Sequence, residues 1–176
     1  MAEAGNIRHD SDLMARSRTY AWEDPLPGTE AGQRMSGIEY LRAIRDGRVP
    51  APPFAMTLDM RLAEVEEGRA VFECAPAEYH YNPIGVAHGG LAATLLDSAM
   101  GCAVHSLLPV GVGFTTLEIK VNYLRALTSK TGTVRAEGWI VNQGSRVAVA
   151  EGRIVDATGR LYAHATTTCL ILRPEG

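Results

Sequence analysis

The apolar segment 89–108 limits the fold of this chain more than any other feature. It is long enough to cross a membrane, so a transmembrane span must be considered. Asp97, His105 and three glycines make it a poor span, and a helix in the core of a soluble protein is the better interpretation. A helix that is apolar nearly all round needs cover by a sheet on one side and another element on the other.

Strand-like runs lie on both sides of this predicted helix. Alternating or apolar-rich residues bounded by polar turns are typical of strands. Two such runs precede the helix and four follow it, at 56–65, 69–74, 114–124, 132–141, 146–156 and 161–172. Short turns separate the last four, which predicts an antiparallel meander. The fold class is therefore α+β, with one long helix and about six strands.

The N-terminal part differs in composition from the rest. Residues 1–35 are polar and interrupted by Gly and Pro, which predicts a flexible arm, either loose or laid over the surface. Ser36 followed by Glu39 is a capping-box pattern, so a short helix is expected to begin there. The folded domain is predicted to span 36–176. The acidic start of the chain does not match a secretory signal peptide.

Charge and cysteine usage exclude several classes of function. The net charge of −3 disfavours a nucleic-acid-binding protein, which usually carries a basic excess. The three cysteines are odd in number, widely spaced and in apolar surroundings, as expected of reduced core residues in a cytoplasmic protein. No paired Cys/His spacing predicts a zinc site. We therefore expect no metal, no nucleic-acid partner and no membrane association.

Asp97 and the glycine pair at 89–90 are the candidate functional residues of the long helix. A carboxylate among apolar residues is costly to bury unless it is paired or used. The glycines would present backbone N–H groups to an anion at the start of the helix. Gly89 and Asp97 are eight residues apart, about 12 Å along the axis. Two antiparallel copies could bring them together in a two-fold dimer; unrelated roles for the two features fit the sequence equally.

Segment 82–90, together with Asp97 and Gly101, resembles the hotdog-fold acyl-CoA thioesterases. The similarity is closest to the PaaI-like group of the 4-hydroxybenzoyl-CoA thioesterase superfamily and covers roughly residues 36–173. Further matching segments are Pro52-Pro53, 122–125, 142–146 and 163–168. The resemblance implies a long helix wrapped by a curved antiparallel sheet. It also implies a homodimer with a continuous sheet, assembly into a homotetramer, and thioesters of coenzyme A as substrates.

The same resemblance implies roles for residues around the helix start. Asp97 would be the catalytic carboxylate, acting either as a general base on water or as a nucleophile. The backbone N–H of Gly89 would bind the developing oxyanion, where the helix dipole favours negative charge. Gly90 would permit the turn beside the substrate. His88 would support the oxyanion site rather than act as the base.

Three further predictions remain open between a functional and a structural role. Asn82 either orients the water or the carbonyl, or is a turn residue before a proline. Thr116, or its neighbour Thr115, either holds the water or Asp97, or is an ordinary strand residue. Basic residues are candidates for binding the phosphates of coenzyme A, although isolated ones are usually only solvated; these are Arg125, Arg146 and Lys120.

Hydrolysis of an aryl or short- to medium-chain acyl-CoA is the leading functional hypothesis. It requires no cofactor, because coenzyme A is part of the substrate. One alternative is a hotdog hydratase or dehydratase acting on acyl thioesters, which pairs a histidine with a carboxylate in a different pattern. Another is a non-catalytic acyl-CoA-binding protein, for which Asp97 would be unnecessary.

Overall fold

A single antiparallel sheet wraps around one long helix in the computed structural model, which describes residues 15–174. The helices are α1 (Leu26–Arg34), α2 (Gly37–Arg45), α3 (Pro53–Leu58) and α4 (Gly89–His105). The strands are β1 (Met60–Glu66), β2 (Arg69–Cys74), β3 (Gly113–Tyr123), β4 (Val134–Gln143), β5 (Val147–Asp156) and β6 (Leu161–Leu172). This confirms the predicted α+β hotdog fold, with six strands around α4.

The strand order corrects the predicted four-strand meander. The order is β1-β2-β4-β5-β6-β3, so β4, β5 and β6 form a meander while β3 pairs with β6 at the far edge. Segment 124–133 makes this possible because it passes along the start of α4 before β4 begins. It is held there by the Leu127 carbonyl, which accepts from the Ala87 N–H at 2.8 Å, and by a Tyr81–Ser129 hydroxyl contact at 3.0 Å.

The first strand begins later than predicted, at Met60 rather than at residue 56. The preceding residues form α3 instead. This short helix begins with prolines, whose missing N–H does no harm in the first turn of a helix. Asp59 ends α3 in the left-handed conformation, with a φ of 53°. The other strands match the predicted bounds to within two residues, and α4 ends at His105 rather than at residue 108.

Helix α1 lies inside the segment predicted to be a flexible arm. Its Gly28 is buried, and a Cβ there would lie 3.8 Å from Val49 and 3.9 Å from the Tyr40 hydroxyl. The helix was not predicted from the sequence, because its residues are mostly polar and do not form a clear apolar face. Helix α2 begins at the predicted position, where the Ser36 N–H donates to the Glu39 carboxylate at 3.0 Å. The part of the predicted arm from 1 to 14 lies outside the described residues.

The core lies between α4 and the concave face of the sheet. Leu95, Leu96 and Met100 of α4 are fully buried against the strands, and each such side chain contributes about 1.5–3 kcal/mol to folding. Gly138 of β4 faces Gly152 of β5 in the register of the sheet. A Cβ at Gly138 would lie 2.4 Å from the backbone carbon of Ala99. The backbone of α4 therefore rests directly on β4 at Gly138, and α4 reaches β5 at Gly152 through the Met100 side chain, 3.0 Å from a Cβ position.

A methyl group at position 138 is expected to separate the helix from the sheet. We predict that Gly138→Ala lowers the free energy of unfolding by about 3 kcal/mol, the upper range for overpacking. Gly113→Ala is the control, because a Cβ there meets nothing within 4 Å, and it should change the value by less than about 0.5 kcal/mol. Urea unfolding at one protein concentration measures both. Equal stability of the two variants would contradict the packing described here.

Candidate active site

Asp97 lies midway along α4 and is half-buried. Its Oδ1 atom accepts a hydrogen bond from the Thr116 hydroxyl of β3 at 2.9 Å. No donor to Oδ2 is found among residues 15–174. The carboxylate is thus fixed on one oxygen and available on the other, an arrangement suited to contact with water or a substrate.

The cavity beside Asp97 has a volume of about 420 Å³. Its floor is formed by one face of α4 and by β3, and its walls by β1, α2 and α3. Most of its lining is apolar, including Leu41, Phe54, Met56, Phe72 and Phe114. A carboxylate at the end of an apolar cavity can act on the polar end of a ligand whose remaining part is apolar.

The structure distinguishes between the two candidate threonines. Thr116 faces the cavity, whereas Thr115 is exposed. Successive side chains of a strand point to opposite faces, so only one of them can reach Asp97. The predicted contact with the carboxylate therefore belongs to Thr116, and Thr115 lies away from it.

The start of α4 leaves one backbone N–H free. The Gly90 N–H donates to Nδ1 of His88 at 2.8 Å, so His88 caps the helix with its side chain. The Leu91 N–H donates to the His88 carbonyl at 2.9 Å. Within the described part of the chain, the Gly89 N–H has no acceptor. Gly89 is therefore the free donor at this helix end, and Gly90 is not.

Gly89 and Asp97 lie in different cavities of one chain. A second cavity, of about 300 Å³, is lined by His88, Gly89, Tyr123 and Arg125 and does not include Asp97. The helical rise places Gly89 and Asp97 about 12 Å apart along the axis. One copy of the chain therefore does not bring the free N–H and the carboxylate to the same reacting atom.

Asn82 closes a turn within one chain, and its contact with the water or the carbonyl stays a prediction. Its Oδ1 atom accepts from the Ile84 N–H at 3.1 Å and from the Val86 N–H at 3.3 Å. Its side chain thus closes the turn that precedes α4, and it lines neither cavity. The carboxamide oxygen is thus used by the backbone, whereas the Nδ2 group, which would donate to a water or a carbonyl, has no acceptor among residues 15–174.

The basic candidates do not form one site. Arg125 lines the Gly89 cavity, and its guanidinium donates to the Leu161 carbonyl at 2.5 Å. Arg146 lies at the β4–β5 hairpin, where its carbonyl accepts from the Ile171 N–H. These contacts are at opposite ends of β6. Lys120 is exposed in β3 between them. Only Arg125 lies beside the free N–H of α4.

Sequence reasoning missed part of the cavity. The sequence predicts Cys102 only as a reduced core residue, yet it lines the cavity with Asp97. Burial, and to a smaller extent the charge of Asp97, raises the pKa of its thiol to about 12. Met56 was predicted to begin the first strand and Phe54 to lie just before it, but both form a wall of the cavity from α3. The capping-box pattern predicted α2 without indicating what this helix covers.

Three general properties complete the description of residues 15–174. Nowhere in this range do three or more His, Cys, Asp or Glu side chains group in a way that could hold a metal ion. None of the helices there is both long enough and apolar enough to cross a membrane. The three cysteines are unpaired.

Comparison with known proteins identifies the family. The sequence model of the thioesterase superfamily matches residues 84–163. A Saccharolobus solfataricus protein that is provisionally named an esterase is 32% identical over 135 residues, which is 77% of this chain and 94% of the relative. The 1,4-dihydroxy-2-naphthoyl-CoA hydrolase of Listeria monocytogenes is 29% identical over 116 residues, which is 65% of this chain and 92% of the relative.

A solved structure shares both the fold and part of the sequence. It is a single-residue variant of the phenylacetic acid degradation protein PaaI from Thermus thermophilus, with a TM-score of 0.61 and 29% identity. The similarity covers 68% of this chain and 98% of that one. Together with the wrapped sheet and the match to the family model, these similarities show that the chain belongs to the thioesterase superfamily and is a thioester hydrolase of the hotdog fold.

Proposed function

We propose that this protein hydrolyses acyl-CoA thioesters, with Asp97 as the catalytic carboxylate, at sites shared between two copies of the chain. The observation that carries the proposal is the Asp97 carboxylate, fixed by Thr116 at the end of an apolar cavity. In the reaction, an oxygen atom bonds to the thioester carbonyl carbon and the carbon–sulfur bond breaks. The products are a carboxylic acid and free coenzyme A.

Asp97 can perform this chemistry in either of two ways. As a general base, its free Oδ2 takes a proton from the attacking water. As a nucleophile, it attacks the carbonyl carbon and forms a mixed anhydride that water then hydrolyses. The Thr116 hydroxyl holds the carboxylate in one orientation in both cases. The sulfur of the departing coenzyme A takes up a proton from the site or from water.

The free Gly89 N–H is the proposed donor to the thioester carbonyl. Negative charge on that oxygen increases in the transition state, and the positive end of the helix dipole stabilises it. Because Gly89 and Asp97 are apart within one chain, the donor must come from a second copy. Strand β3 supports this arrangement, since it is a sheet edge with exposed Leu117 and Tyr123. Antiparallel pairing of two β3 strands would continue the sheet and run the two α4 helices in opposite directions.

The substrate class follows from both cavities. The apolar lining beside Asp97 favours an aryl or a short- to medium-chain acyl group. Arg125 beside Gly89 is suited to a phosphate of coenzyme A. The Listeria relative, which is named a hydrolase of a naphthoyl-CoA, supports coenzyme A as the leaving group. Assembly of two dimers into a homotetramer and a cytoplasmic location stay predictions, as does a reaction without a cofactor.

The cavity favours hydrolysis over the alternatives. A hydratase or dehydratase pairs a histidine with the carboxylate in a different pattern, whereas His88 adjoins the glycine pair and its Nδ1 accepts from the Gly90 N–H. A protein that only binds acyl-CoA would have no use for a half-buried carboxylate that a neighbouring hydroxyl orients. Hydration of an enoyl-CoA by the purified protein would contradict this assignment.

Substitution of Asp97 is the first test. Asp97→Asn keeps the shape of the side chain but removes the base and nucleophile, so we expect kcat to fall by about a thousandfold. The measurement is release of thiol from aryl-, short-, medium- and long-chain acyl-CoAs. The protein's own thiols should add little background, because burial raises the pKa of each cysteine. Full activity of Asp97→Asn, with the fold intact by circular dichroism, would mean that the active site is elsewhere.

The two adjacent threonines provide a matched comparison. Thr116→Val removes the hydroxyl that orients Asp97 without changing the side-chain volume, and we expect kcat to fall by about tenfold, the loss of one charge-assisted hydrogen bond. Thr115→Val makes the same change on the exposed face and should stay within about twofold of the wild type. Equal effects of the two changes would argue that Thr116 has no special role.

The oxyanion donor can be removed by a change in the backbone. Gly89 is the first residue of α4, where proline is well tolerated, and His88 before it is extended with φ −58° and ψ 139°. We expect Gly89→Pro, which has no N–H, to lower kcat by about a hundredfold. Gly89→Ala keeps the donor and introduces the same Cβ, 3.3 Å from the Tyr123 ring. It should retain most of the activity.

Mixing the two inactive variants tests the shared site. A dimer of one Asp97→Asn chain and one Gly89→Pro chain has one site in which both groups are intact. Equal co-expression should therefore restore about a quarter of the wild-type activity. If each site is built from one chain, the mixture stays as inactive as its components.

A further inference from the structure

Helix α3 forms a wall of the Asp97 cavity, although its own packing is weak. It has six residues, and Ala55 is the only one of them that is fully buried. Phe54 and Met56 line the cavity but are 58% and 39% exposed. A helix of this length is not stable by itself in water. Other parts of the chain must therefore hold this wall in place.

Side chains from two distant segments bind the last three carbonyls of α3. The Arg18 guanidinium donates to the Thr57 carbonyl at 2.7 Å and to the Met56 carbonyl at 3.1 Å. His80 lies 3.0 Å from the Leu58 carbonyl through Nε2. Its Nδ1 accepts from the Ala77 N–H, so Nε2 carries the proton and donates. These groups take the place of the next helical turn.

Arg18 is itself held in position. It is half-buried, whereas its neighbours Ser17 and Thr19 are exposed. Its guanidinium lies 4.1 Å from the centre of the Tyr79 ring, and the Tyr79 hydroxyl donates to Asp59 at 2.9 Å. Asp59 is the left-handed residue that ends α3. Arg18, Tyr79 and Asp59 thus form one connected unit at the end of α3, which we call the Arg18 clasp.

We propose that the Arg18 clasp determines which acyl groups the enzyme accepts, because it fixes the position of Phe54 and Met56 at the cavity wall. This inference rests on the proposed function. Arg18 is a positioning residue, since it acts through α3 and does not line the cavity. Asp97 and α3 line the same cavity, so an acyl chain long enough to fill it contacts α3, whereas an acetyl group fills only the part beside Asp97. Loss of the clasp should therefore affect long substrates selectively.

The test compares two arginines of the same segment. Arg18→Ala removes the clasp, and Arg16→Ala is the matched control, because Arg16 is exposed and its one ion pair within residues 15–174 is with Glu78, at 2.6 Å. We expect Arg18→Ala to raise KM for decanoyl-CoA by about tenfold, with kcat for acetyl-CoA unchanged. Arg16→Ala should leave both values as in the wild type. Arg18→Lys, which keeps the charge and a donor, should fall between the wild type and Arg18→Ala.

Two outcomes would overturn the inference. One is an unchanged ratio of KM values for decanoyl- and acetyl-CoA in Arg18→Ala. The other is an equal loss on all acyl lengths, which would indicate only general destabilisation. A wild-type protein without turnover on any acyl-CoA would instead contradict the proposed function. In that case, the affinity for decanoate is measured by displacement of a fluorescent fatty acid. Weaker decanoate binding by Arg18→Ala than by Arg16→Ala would support the role of the clasp, and equal binding would overturn it.

Discussion

The close packing of α4 on the glycine pair of β4 and β5 is the constraint on which the rest of the structure depends. Gly138 and Gly152 lie opposite each other. A Cβ at Gly138 would meet the backbone of α4, and one at Gly152 would meet the Glu137 carbonyl and the Met100 side chain. The helix therefore lies low enough for edge strand β3 to run beside it. At Gly101 the same close packing recurs, with the Phe114 ring 3.0 Å from a Cβ position. Two residues farther along β3, Thr116 reaches Asp97.

The chemistry is divided between the middle and the start of one helix. The carboxylate gains a hydroxyl partner and an apolar cavity from its place midway along α4. The oxyanion donor requires the helix end, where backbone N–H groups have no partner within the helix. His88 accepts from the Gly90 N–H, and the Gly89 N–H is left without an acceptor in the described part of the chain. Because a rigid helix cannot bring its own end to its middle, a second antiparallel helix is the simplest way to unite the two groups.

Local sequence patterns predicted most of the helices and strands. The features that they did not predict depend largely on contacts between residues distant in the sequence. Apolar spacing and capping gave α2, α4 and six strands, and a carboxylate among apolar residues indicated Asp97. The strand order was not predicted, because β3 pairs with β6, which is distant in sequence, and not with β4, the next strand along the chain. Helix α3 was missed because six residues show no periodicity. Strand alternation separates Thr115 from Thr116, but only the position of α4 decides which of them faces Asp97.

Catalysis and the shape of the cavity depend on different parts of the chain. The region that matches the family model, 84–163, contains Asp97, Thr116 and Gly89. Much of the cavity wall lies before it, on α2, α3 and β1. Among the described residues, no backbone hydrogen bond joins α3 to α4. The position of α3 can therefore change without moving Asp97, so one catalytic arrangement is compatible with cavities of different size.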